Sequence, residues 1–106
     1  MMGHVVIVAY RPKPGKDEAL LTLTRDHHGI LEAEGLVTQR QPVIARAKDG
    51  TVVEVFEWRS ADAVAQAHSN PAVQALWERY AAVCDYVPLA QLPESNDLFA
   101  GFESAD

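Results

Sequence analysis

Cysteine is almost absent from this chain: Cys84 stands alone among 106 residues. A single thiol forbids an intrachain disulfide and a cysteine-rich metal site, and it suits a reducing compartment. Basic residues are also scarce. There are 9 Lys and Arg against 15 Asp and Glu, a net charge of -6. That balance argues against a nucleic-acid partner, because a phosphate backbone needs a basic surface. Long apolar runs are missing too. The opening MMGHVVIVAY has no basic start, and its apolar part is too short for a signal sequence or a membrane span. A cytoplasmic protein with no membrane partner is the expectation. The chain has no Gly-rich phosphate loop, no GxSxG elbow and no HExxH zinc motif.

What is present is the composition of a globular domain, 48% apolar and 23% charged. The length suits one domain, read here as residues 1–92, followed by an acidic tail over 93–106. HVVIVAY, residues 4–10, is short and rich in β-branched residues, so it reads as a buried strand. RPKPG then ends it. From Lys16 to Glu34 the period changes: Leu20, Leu23, His27, Ile30 and Leu31 form one stripe of a helix. Asp17 and Glu18 suit its first turn, and Gly35 its C-terminal cap. Gly29 interrupts this helix at a cost of up to ~1 kcal/mol against Ala, and marks a kink or a close approach.

LVTQRQPVIARA, residues 36–47, and TVVEVFEW, residues 51–58, flank an Asp49-Gly50 turn signal. A two-residue type I′ turn there pairs Ala47 with Val52, Ile44 with Val55 and Val43 with Phe56. One face then carries Ile44, Val53 and Val55, and the other Val43, Ala45, Val52, Phe56 and Trp58. Both faces are apolar, yet one helix layer covers only one. A second copy of the chain is the expected cover, through Val43, Phe56 and Trp58. Pro42 suggests a bulge or edge. Ser60 reads as the N-cap of a short alanine-rich helix, and Asn70-Pro71 as the start of another, with Val73, Leu76, Trp77 and Tyr80 on its apolar face to about Val83. CDYVPLAQL, residues 84–92, reads as the last strand. The tail reads as mobile, with Leu98, Phe99 and Phe102 available to a partner chain. The order is an α+β, ferredoxin-like βαββαβ plan: a four-stranded antiparallel sheet with helices on one face.

With AYRPKPGK ending the first strand, EAEGL closing the long helix, VEVFEWRSADAV after the hairpin and HSNPAVQALW before the last strand, residues 4–92 resemble the dimeric α/β-barrel superfamily. Within it, they resemble the antibiotic biosynthesis monooxygenase-like domains. The resemblance implies a homodimer with a pocket between sheet and helices, holding a small apolar or aromatic ligand. It also implies oxygenation of a phenolic or enolic substrate without metal or flavin, the substrate's own phenolate or enolate meeting oxygen. Such a site needs a base and a water-poor cavity. Haem-degrading relatives carry an axial His ten residues before a Trp on the segment matching 67–77. Here those positions are Ala67 and Trp77, which disfavours haem, and no cofactor is expected.

Two histidines are candidate catalytic residues. His68 ends the short helix, as a base at a pocket mouth or as a polar tip closing a turn. His27 lies on the apolar stripe, as a pocket residue or as a satisfied core histidine. His28 is expected in solvent, and DHH is no metal motif because adjacent helical residues diverge. Trp77 and Tyr80 are candidate substrate-binding walls or plain core. Arg40 or Arg46 is a candidate for an anionic group on a ligand, with a surface ion pair as the alternative for Arg46. Cys84 reads as a small buried residue. Two classes therefore stand: a cofactor-independent monooxygenase, or a non-catalytic ligand-binding or structural dimer on the same fold.

Overall fold

The computed structural model describes residues 3–105. Strand β1, His4–Pro12, runs antiparallel between β3, Val52–Trp58, and β4, Cys84–Val87. It alternates as a two-sided strand must: Val6, Val8 and Tyr10 face the helices, while Val5, Ile7 and Ala9 face the other way. Helix α1, Asp17–Ala33, buries Leu20, Leu23, His27 and Leu31, the expected stripe apart from the partly buried Ile30. It ends in a Schellman motif. Gly35 takes φ +71, and the amides of Gly35 and Leu36 donate to the carbonyls of Glu32 and Leu31.

Strand β2, Val43–Arg46, is shorter than the 36–47 expected. Residues 36–42 make one isolated bridge, Val37 to Trp58, and the strand begins only after Pro42, which has no N–H to donate. The hairpin register also differs from expectation. Val43 pairs with Val55, Ile44 with Glu54 and Ala45 with Val53. The loop has three residues, not two. The Gly50 amide donates to the Ala47 carbonyl, the Ala47 amide donates to the Thr51 carbonyl, and Gly50 alone has positive φ there. This is a type I turn followed by a left-handed glycine. Asp49 Oδ1 fixes it by accepting from the Thr51 amide at 2.9 Å. A one-residue slip exchanges faces. Ile44 therefore joins Val52, Phe56 and Trp58 under the helices, and Val43 and Ala45 join Val53 and Val55 on the opposite face. Phe56 and Trp58 are buried in the chain's own core and are not available to a second copy through the open face; of the three expected interface residues, Val43 alone is.

Helices α2, Ala61–His68, and α3, Pro71–Val83, start where the caps place them. Ser60 accepts from the Ala63 amide, and Asn70 from Ala72 and Val73. Ala63, Ala67, Val73 and Leu76 complete the core with α1 and the sheet. Strand β4 stops at Val87 rather than running to residue 92, because Pro88 cannot continue the ladder. Two 3-10 turns follow, Leu89–Gln91 and Pro93–Asn96. The chain beyond Val87 folds back, and with it part of the 93–106 segment read as a tail. Leu92 is fully buried against Ala9, Ala47 and Val53, and β5, Glu103–Ser104, pairs with β2. The sheet therefore has five strands, ordered β4-β1-β3-β2-β5, not four; the fold remains α+β and antiparallel with its helices on one face. Val5, Ile7 and Val43, each more than half exposed, form an apolar stripe on the rest of the open face. No described helix is long and apolar enough to cross a membrane.

Candidate functional site

Register puts a carboxylate in the middle of the sheet. Glu54 stands between Val8 and Ile44 on the helix side and is 0% exposed. Burying an ionised carboxyl costs several kcal/mol unless partners offset it. Two partners converge on the same oxygen: Tyr10 donates its hydroxyl to Oε1 at 2.7 Å, and Nδ1 of His27 lies 2.8 Å from it. Oε2 makes no hydrogen bond. An ionised carboxylate only accepts. Where Glu54 is ionised the proton of that pair sits on Nδ1, and in the neutral imidazole Nε2 is then a lone pair. No hydrogen bond to Nε2 exists among the described residues.

The surroundings hold this pair still. The His27 ring stands edge-on to Phe56, centroids 5.1 Å apart, and to Tyr80, 5.3 Å apart. Tyr10 stacks on Tyr80 at 4.7 Å. Tyr80 donates to the Thr24 hydroxyl at 3.2 Å, and Thr24 donates to the Leu20 carbonyl at 2.9 Å. Helix α1, helix α3 and strand β1 are thus joined through one polar thread. Desolvation pushes the Tyr10 hydroxyl well above its ordinary pKa, and the negative Glu54 pushes it further. Tyr80 is raised by the same two causes in the same order. Both phenols stay protonated and act as donors. Burial pushes Cys84 up to about 11, so it is a thiol and not a nucleophilic thiolate.

His27 borders a chamber of about 170 Å³ between sheet and helices, walled by Val6, Val8, Phe56, Trp58, Trp77 and Tyr86, with Tyr10 also on its wall. A wider hollow of about 330 Å³ is bordered by His68, Trp77 and Tyr86. The two spaces share Trp77 and Tyr86. His68, at the exposed end of α2, lies edge-on to Trp77 at 5.0 Å. Trp77 thus has His27 across the chamber on one side and His68 on the other. Tyr80 stands behind Tyr10 and does not line the chamber. Arg40 is not among the lining residues: it is exposed and its Nε donates to Glu57 Oε1 at 3.1 Å. The Thr38 hydroxyl, and then Arg40, hold Glu57 below the usual carboxylate range. His28, expected in solvent, is buried, with Nε2 2.9 Å from the Thr38 carbonyl. The segment after Gly35 folds back over it.

Sequence reasoning missed Glu54, Tyr10, Phe56, Trp58 and Tyr86 as site residues. A signal was available for Glu54: a carboxylate inside an otherwise apolar strand, VVEVFEW, is a polar group that the core must satisfy. Among the described residues no group of three or more His, Cys, Asp or Glu is placed to hold a metal ion. No protein-family model, curated protein or solved structure matches the chain.

Proposed function

We propose that the chain is a homodimeric, small-molecule-binding α/β-barrel protein that oxygenates a phenolic or enolic substrate without a cofactor, with His27 as the base. The observation that carries this reading is the His27–Glu54 pair at 2.8 Å beside an apolar chamber. A base oriented by a buried carboxylate, with its other nitrogen free, is the arrangement general-base chemistry needs. A substrate hydroxyl gives its proton to Nε2, and Glu54 stabilises the imidazolium that forms. The electron-rich phenolate then reduces dioxygen. One oxygen atom enters the ring carbon, the other leaves as water, and that water carries away the ring hydrogen and the hydroxyl hydrogen, so a phenol becomes a quinone. Trp77 walls the chamber, with His68 on its other side. Tyr10 and Tyr80 act behind Glu54 and His27 as positioning residues. The dimer is supported by the exposed stripe of Val5, Ile7 and Val43, a face that the chain's own helices leave open.

Oxygen uptake with a panel of phenols and hydroquinones tests this, comparing the natural chain with His27→Gln and Glu54→Gln. Loss of the base is expected to lower the rate by roughly 10²–10⁴-fold, and Glu54→Gln to lower it by about 10²-fold or more while the fold persists. Uptake that His27→Gln leaves unchanged would sink the catalytic role. Binding across the panel with no uptake would move the protein to the non-catalytic, ligand-binding class.

A further inference from the structure

We propose that the inner chamber admits a single uncharged hydroxylated ring, a monocyclic phenol or hydroquinone, and rejects fused bicyclic phenols and phenols bearing a carboxylate. The inference deepens the reading above and rests on it only for the free nitrogen of His27.

Size is the first argument. The chamber holds about 170 Å³, and a dry protein cavity of about 150 Å³ is enough for benzene. One ring fills it, and a second fused ring does not fit. Charge is the second. No Lys or Arg borders the chamber, and Arg40 is engaged outside it with Glu57. A carboxylate on the ring would meet no cation, while the buried Glu54 already brings negative charge to the His27 end. An unpaired anion in such a place is strongly disfavoured. Wall chemistry is the third. Phe56, Trp58, Trp77 and Tyr86 offer aromatic edges and faces, which favour an aromatic ring beyond the area it buries. Of the polar side chains that border the chamber, His27 is the one backed by a carboxylate, so it is the partner assigned to the ring's hydroxyl, with the Tyr86 hydroxyl also on the wall.

The test uses both tryptophans of the chain, Trp58 and Trp77, since both border the chamber. Their indole N–H resonances are followed by NMR, without oxygen, as hydroquinone, phenol, 2-naphthol and 4-hydroxybenzoate are added to the natural chain. Hydroquinone and phenol are expected to shift both resonances saturably. 2-Naphthol and 4-hydroxybenzoate are expected to bind at least about 10-fold more weakly, the least that an unpaired charge or an ill-fitting ring should cost. His27→Gln should weaken hydroquinone. Equal or tighter binding of 2-naphthol or 4-hydroxybenzoate, or no shift with any probe, overturns the inference. Failures of the two readings are separable. Hydroquinone that binds but draws no oxygen leaves this inference standing and removes the oxygenase. Oxygen uptake confined to bicyclic phenols does the reverse.

Discussion

Oε1 of Glu54 accepts from two side chains, and Oε2 accepts from none. An apolar residue there would avoid the desolvation cost, which points to a use for the carboxylate beyond packing. Its neighbours report on it. Tyr10 has its pKa raised in the fold, so the folded state holds that proton more tightly than the unfolded chain does. The stabilisation is fully present below the ~10 of a free phenol and is lost as pH rises through the folded value. In an alkaline titration at 295 nm, Tyr10 and Tyr80 should stay silent to about pH 11 and ionise only as circular dichroism reports unfolding. Two tyrosines titrating near pH 10 with the fold intact would contradict this burial. At this scale the position of His27 was legible, since its spacing from Leu20, Leu23 and Leu31 puts it on one helix face. The partners of Glu54 were not, because its strand is apolar on both faces and alternation alone does not say which face meets the helices. Only its register against Val8 and Ile44 turns it inward.

Elements with local punctuation formed where their residues place them. Ser60, Asn70-Pro71 and Gly35 each satisfy backbone groups within a few residues, so no distant contact is needed to set those helix ends. The hairpin is different. Asp49-Gly50 serves a two-residue loop or the end of a three-residue one, and the extra residue reverses the faces of β2 relative to β3. Gly29 also differs from expectation. Helix α1 runs unbroken through it, and a Cβ added there meets nothing within 4 Å. Gly29→Ala should therefore stabilise the protein by about 1 kcal/mol, raising Tm by roughly 4–8 °C. A lower Tm would reveal a role for that open position. The returning C-terminal segment carries its own prediction. Leu92→Ala removes a fully buried side chain from the open-face cluster and should cost about 2–5 kcal/mol in chemical denaturation. A change below 0.5 kcal/mol, roughly the size of a surface effect, would mean that the segment does not dock.

Across the whole molecule, helices cover one face of the sheet, and the residues after β4 cover part of the other. Val5, Ile7 and Val43 remain open. Ile7→Lys places a charge in that stripe without touching the chain's own core. If the proposed dimer uses this face, light scattering should give twice the chain mass for the natural protein and the monomer mass for the variant. Equal masses would move the interface elsewhere. Strand β5 fills the edge of β2, where an open strand would otherwise expose unpaired backbone groups.

Residues 4–92, read in order, determined the alternation of strands and helices, the helix caps and the helix face that carries His27. Each of these depends on residues at most a few turns apart. Tertiary structure alone decided the hairpin register, the inward turn of Glu54, the withdrawal of Phe56 and Trp58 into the chain's own core and the fifth strand. These depend on which distant segments meet. A strand presents opposite faces every residue, so a single added loop residue suffices to choose between them.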